Sequence, residues 1–378
     1  MTRALASVSL ALAAAVAQPP VHRTTPPTEP RQPCPDAGCR QHIGWGPDRD
    51  HDRIADSAEQ ALADRYAPVV WHAPDEPNFP TSVDSFLPHT RLGFFDSACG
   101  IDSMLADAPL SQPALLEPTV VPPCDAGADA ANAAHAAGTR SENKARTFYL
   151  ADVARRHQVG DTASTGWTTY YHAYRNRRGG VTVQYWRFYS FNTGLTYALA
   201  DARLEVGHHG GDWESVQVVL NSALRPVAAR FVGHTSIVER NWPDVHREGD
   251  RLVVASEPGR HSSQADLDLD TARAVRQETW SGGTVRWPSG RTSSAGALVN
   301  LGEKTAPFEP FLAYSGLWGS PGSCLPGLGC INSGYWGPAY NETGMRDDGF
   351  ITAWCTGMAD SMRARNGVAE CYPAAVSP

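Results

Sequence analysis

Thr168-Thr-Tyr-Tyr-His-Ala-Tyr-Arg175, Asn176-Arg-Arg-Gly-Gly180 and Val181-Thr-Val-Gln-Tyr-Trp-Arg-Phe-Tyr-Ser-Phe191 follow one another without interruption. Two runs of β-branched and aromatic residues flank a glycine-bearing turn, which is a hairpin signal. Further strands are predicted near 214–220, 227–232 and 252–255. Turns rather than helices separate them, so the predicted fold class is mainly β, an antiparallel β-sandwich with a few peripheral helices and long disulfide-stapled loops. Helices are expected at 57–65, packed near the entrance of the sandwich, and late in the chain at 347–365. The Ala-rich stretch 126–137 reads as helix or exposed loop, and 266–296 as insertion and loop. No internal repeat is visible, and 67–378 is read as one elaborated sandwich with a C-terminal helix rather than two cores.

Residues 1–17 carry one arginine, Arg3, an apolar run and an Ala15-Val16-Ala17 end. That pattern predicts a secretory signal peptide rather than a membrane span. The Pro- and Thr-rich stretch 18–40 is expected to be a tether, because it cannot bury enough apolar surface to fold alone. In an exported chain the eight cysteines most simply form four disulfides. Sequence neighbours suggest Cys34 with Cys39, Cys99 with Cys124, Cys324 with Cys330, and Cys355 with Cys371. No CxxC pair occurs, which argues against a thiolate zinc site. The net charge of −8 argues against a nucleic-acid partner. No later stretch is long and apolar enough for an integral membrane span.

Residues 41–66 combine a calcium-loop-like segment with the first helix. Asp48, Asp50, Asp52, Asp56 and Glu59 occupy positions one, three, five, nine and twelve of a loop, a spacing of hard oxygens that wraps calcium, with the Ile54 carbonyl as a further ligand. Position six, where glycine usually takes the sharp turn, holds Arg53, and a positive φ there costs about 1 kcal/mol. The phase of Ile54 and Asp56 resembles a thrombospondin type-3 repeat. The alternative is a solvated acidic helix start.

Gly207-His-His-Gly-Gly-Asp-Trp-Glu214 gathers two imidazoles and two carboxylates before a predicted strand. Asp212 and Glu214 share a face if the strand has begun, Trp213 turns to the other, and His209 folds over from the glycine turn. With His234 and His261 from other strands, this set offers either a second divalent-cation site, with His209, Asp212, Glu214 and His234 as ligands, or acid and base chemistry by His209, Asp212, Glu214 and His261. The bland reading has Asp212 bonding turn amides, Glu214 pairing with Arg187 or Arg260, and the histidines as ordinary half-buried residues. Trp186, Tyr189, Tyr171 and Tyr174 are read as sheet packing. Trp318, Tyr335, Trp336 and Tyr340 are either a ligand contact or anchors of their loop.

The blocks at 63–70, 75–77, 82–87, 184–192 and 209–214, continued by His234, Trp242, His261, Gly316-Leu-Trp-Gly319 and Gly337-Pro338, resemble the vacuolar-protein-sorting-sixty-two-like family over 63–338. That family has no settled activity to carry over. A fainter likeness is to the necrosis-inducing secreted proteins, whose Gly-His-Arg-His-Asp-Trp-Glu motif lines a divalent-metal pocket on a β-sandwich. That resemblance implies binding to glycolipid headgroups and membrane damage.

GxSxG, HExxH and GxxxxGK[ST] motifs are absent from the sequence, which removes the simplest support for a serine hydrolase, zincin or nucleotide enzyme. Three functional expectations follow. The first is a secreted, metal-dependent hydrolase or lyase acting on an extracellular glycan or phosphoester. The second is a cation-dependent glycan- or glycolipid-binding protein of cytolysin or lectin type, with an extracellular glycan or lipid headgroup as partner. The third is a structural module in which metals only stabilise loops. Oligomeric state is not readable from the sequence.

Overall fold

A computed structural model describes residues 43–340 apart from 45, 73–75, 122–132, 136–145, 153–154, 164–165, 177, 200–201, 233–236, 258, 265–296, 304–305 and 326–328. Several expectations lie outside the described residues: the signal peptide and tether, His234, the loop 266–296, the helix at 347–365, and Cys34, Cys39, Cys124, Cys355 and Cys371. Cys324 and Cys330 occupy matched Cα positions across a short antiparallel pair.

The chain runs through helix α1 (Asp56–Tyr66), β1 (Val69–Trp71), β2 (Pro80–Thr81), the short helix α2 (Val83–Phe86), β3 (Thr90–Asp96), β4 (Ile101–Ala106) and β5 (Arg146–Asp152). The predicted hairpin follows as β6 (Thr169–Arg175) and β7 (Val181–Asn192), then β8 (His209–Leu220), β9 (Pro226–Val232), β10 (Ile237–Asn241), β11 (Arg247–Glu248), β12 (Arg251–Ser256), β13 (Ser263–Gln264), β14 (Leu298–Asn300) and β15 (Gly302–Glu303). The fold is mainly β. Its central sheet has the order β10-β9-β8-β7-β6-β14, with β2 on the outer half of β7. Pairing within it is antiparallel except for β14 on β6.

Both faces of this sheet are covered, which is why β7 is buried along nearly its whole length. Side-chain alternation sends Val181, Val183 and Tyr185 of β7, and Val216, Val218 and Leu220 of β8, into one cluster with Leu62 and Tyr66 of α1, Val70 of β1 and Leu252 and Val254 of β12. Trp186, Phe188 and Trp213 point the other way, into a second cluster with Leu92 and Phe94 of β3, Phe148 and Leu150 of β5, and Trp318. Asp212 and Glu214 have the parity of Val216. They therefore lie on the α1 side of the sheet, opposite Trp213, and form its polar end.

Two readings change in the structure, and of the two alternatives for the late aromatic residues the anchor is the one seen for Trp318, Trp336 and Tyr340. β8 begins at His209, so the glycine pair is inside a strand and not in a turn before it. Gly211 has φ +58, and a Cβ there would lie 1.8 Å from the carbonyl oxygen of Trp318; the glycines let the 318 segment pack directly onto the strand. Within the Ala-rich stretch, Ala133–His135 pairs with Pro118–Val120, a strand in place of helix or loop, because an available partner outweighs alanine's helical preference. Trp318, Trp336 and Tyr340 are buried anchors: the Trp318 ring sits 5.2 Å from Trp213, edge to face.

Candidate functional site

The acidic loop is closed by its own backbone. Ile43 donates its N–H to the Arg53 carbonyl, Ala55 to that of Ile43, and Asp56 to that of Pro47, while Ile54 is buried in the core. The tight path puts His51 at φ 66 and Arg53 at φ 76, so Arg53 adopts the left-handed conformation that its position in the loop demands. Asp52 Oδ1 accepts from the Ile54 amide at 2.7 Å and Asp48 Oδ2 from that of Arg53 at 3.1 Å. Asp56 and Glu59 occupy the first turn of α1. Asp56 accepts from the Arg49 amide and guanidinium, and Glu59 Oε2 accepts from Asn300 Nδ2 at 2.9 Å.

After these bonds, both oxygens of Asp50, Oδ2 of Asp52 and Oε1 of Glu59 are buried with no hydrogen-bond donor. Oxygens of Asp48, Asp50 and Asp52 lie within 4.8 Å of one another, and so do oxygens of Asp50, Asp56 and Glu59. Asp50 belongs to both sets. This acidic cluster has the donors to hold a metal ion. Burial, then the negative charge of Glu303, pushes Asp50 up to about 6. Burial raises Asp52 to about 7, and burial with the charges of Asp50 and Asp52 raises Glu59 to about 9. Buried carboxylates kept near one another without donors are costly when ionised, a cost that protonation or a bound cation relieves.

Residues distant in sequence complete the surroundings. Asn300 of β14 orients Glu59, and buried Glu303 of β15 faces His172 Nε2 at 3.1 Å, whose other ring nitrogen lies 3.3 Å from Gln184 Oε1. Nothing in the local spacing of the loop announces them.

The second cluster sits at the polar end of β8. Asp212, Glu214, His261 and His209 are all buried. Asp212 Oδ2 lies 2.8 Å from His261 Nδ1 and 3.0 Å from Asn192 Nδ2, and His209 Nε2 stands 3.8 Å from Asp212 Oδ1. On its far side His261 Nε2 faces Glu76 Oε1 at 3.4 Å, and Glu76 is fixed by the amides of Asn78 and Gly259. The imidazole also stacks flat on Tyr189, with 3.7 Å between centroids and planes 5° apart. Burial alone would lower the His261 pKa, but Asp212 and Glu76 overcome it and raise it to about 9. His261 is therefore an imidazolium between two carboxylates.

Arg187 stands directly opposite Glu214 across β7 and β8 and donates to Ser263 Oγ at 2.6 Å and Tyr189 Oη at 3.2 Å. Arg260, the other partner considered for Glu214, pairs with Glu257. Among the described residues, Asp212, Glu214 and His209 do not form a three-ligand focus of the kind seen in the loop. His234, proposed as the further ligand, lies outside the described residues. Glu76 was missed as a partner of His261: the block at 75–77 entered only as part of a family resemblance with no role attached, and only the fold brings Glu76 to His261.

No family model matches the chain, so the likeness to the vacuolar-protein-sorting-sixty-two-like family gains no support there, and no curated protein matches either. One solved structure, described as "Toxin fold as basis for microbial attack and plant defense", aligns over 60% of this chain and 74% of its own, at 14% identity and a TM-score of 0.28.

Proposed function

We propose that this is a secreted, calcium-loaded protein that acts by binding an extracellular glycan or headgroup rather than by catalysis, with the ion held by Asp48, Asp50, Asp52, Ile54, Asp56 and Glu59 in a structural role. The observation that carries the metal assignment is the set of buried carboxylate oxygens of Asp50, Asp52 and Glu59 that have no donor. An all-oxygen set on a flexible loop suits calcium better than zinc or copper, and export to a calcium-rich compartment is where a weak loop of this kind fills. The ion would fasten the segment before α1 to β14 and β15 through Asn300 and Glu303.

The non-catalytic reading is supported by the second cluster. A general base needs reach to substrate and a proton to give or take near neutral pH. His261 instead is buried, already charged and paired on both sides, so it fixes the Arg260–Ser263 turn to β7 and β8. The hydrolase or lyase reading rests on the pairing of Asp212 with Glu214, both buried. Calorimetric titration with calcium tests the proposal: one site per chain that disappears in Asp50→Asn and survives in Glu214→Gln supports it, and heat retained in Asp50→Asn refutes it.

A further inference from the structure

A cavity of about 350 Å³ opens between β2, α2 and the turn Arg155–His157, and no residue of either cluster lines it. Its floor is Phe86, buried and packed edge-on against Phe188 with 4.9 Å between centroids, so the floor is part of the core. Hydroxyls of Thr81, Ser85 and Ser190 line the walls. Such a volume suits one substituted ring rather than an extended chain.

The rim carries one guanidinium and two imidazoles, Arg156, His89 and His157, in a chain that has more acid than base. His89 and His157 lie face to face, 3.5 Å between centroids with planes 10° apart. Aromatic pairs favour offset or edge-on geometry over this sandwich, and the two rings bring their N–H edges together at the rim, where an oxyanion can accept from both. Arg156 Nε donates to His157 Nε2 at 3.0 Å, so that nitrogen holds a lone pair and the ring hydrogen is on Nδ1. The bond also holds the guanidinium at the rim, which lowers the entropy lost when it engages an anion. Asp161, the carboxylate in the lining, already accepts from Thr81 Oγ1 at 2.6 Å.

We propose that the cavity formed by Thr81, Ser85, Phe86, His89, Arg156 and His157 binds a sulfate or phosphate ester carried on a polyhydroxylated ring. The ester oxygens meet Arg156 and the two imidazoles; ring hydroxyls meet Ser85, Thr81 and Asp161. The assignment rests on the reading of the protein as a binder and names where and what it binds, while the calcium loop stands or falls separately.

Calorimetry on the full chain in calcium tests it with glucose 6-sulfate, glucose 6-phosphate, plain glucose and inorganic sulfate. Vesicles of phosphatidylcholine with and without phosphatidylinositol form a further arm. The expected result is binding of a sugar ester, weaker by about tenfold or more in Arg156→Gln and in His157→Asn, with plain glucose silent. Both side chains are on the surface side of the cavity, and an unchanged melting temperature in either variant keeps the comparison valid. Preference for phosphatidylinositol vesicles, lost in Arg156→Gln, identifies a lipid headgroup as the source of the ester; binding of the free sugar esters alone identifies a saccharide. The proposal is overturned if no ester binds, if both variants bind like the parent, or if inorganic sulfate binds as tightly as the esters. A normal calcium titration beside any of those results leaves the metal assignment standing.

Discussion

Removing calcium should destabilise the protein by an amount that grows with pH. In the ion-free fold Asp50, Asp52 and Glu59 have pKa values raised from 3.8, 3.8 and 4.5 to about 6, 7 and 9. An acid whose folded pKa exceeds its unfolded value contributes stability that is fully present below the unfolded value and lost as pH rises through the folded one. The window here runs from about pH 4 to about pH 9. At about 1.4 kcal/mol per unit, and allowing for coupling among the three groups, the ion-free fold should lose several kcal/mol between pH 4.5 and pH 8. Bound calcium keeps the carboxylates ionised and cancels the trend. For a site of about 10 µM affinity in about 1 mM calcium, binding adds about 2.7 kcal/mol, or about 5–10 °C in melting temperature for a domain of this size. Differential scanning calorimetry at pH 4.5, 6.5 and 8, in calcium and in chelator, reads both effects. Identical melting curves in the two buffers at pH 8, or a gap that shrinks as pH rises, would refute the reasoning.

Three other outcomes follow from named contacts. His261, raised to about 9 by Asp212 and Glu76 against the effect of burial, contributes stability present in full below about pH 6.5 and lost as pH rises past 9; denaturant titrations should show this alkaline loss, and in His261→Ala, which takes the shared cation from two buried carboxylates, a deficit of about 3 kcal/mol at neutral pH. Gly211→Ala places a methyl 1.8 Å from the Trp318 carbonyl at φ +58, so the urea midpoint should fall by the equivalent of about 3 kcal/mol or more, and wild-type stability in that variant would be inconsistent with the packing described. Asn300→Ala, which removes the donor to Glu59, should weaken calcium by about 10–100-fold in a fluorescence competition assay, while unchanged affinity would leave Asn300 with no part in the site.

The strands were legible where the signal was local. The run 168–191 became β6 and β7 paired from Thr169 with Arg187 to Arg175 with Val181, because β-branched and aromatic residues around a glycine turn have few other solutions. The parity that separates Asp212 and Glu214 from Trp213 was also readable, since it depends only on the two-residue period of a strand. The acidic cluster of 48–59 was legible for the same reason: a loop that gathers its own carboxylates is written in nearly consecutive residues. Long-range partners were not. Glu76 beside His261, and Asn300 and Glu303 beside the acidic loop, are set by which strands become neighbours. The glycine pair before Asp212 was misread as a turn because its actual cause, the backbone at Trp318, is more than a hundred positions away.

The most direct test of the central claim is anomalous diffraction from crystals grown in calcium, repeated with terbium in its place. The account predicts one strong peak per chain, bounded by Asp48, Asp50, Asp52, Asp56 and Glu59. An empty loop, or a peak only at Asp212 and Glu214, would contradict it.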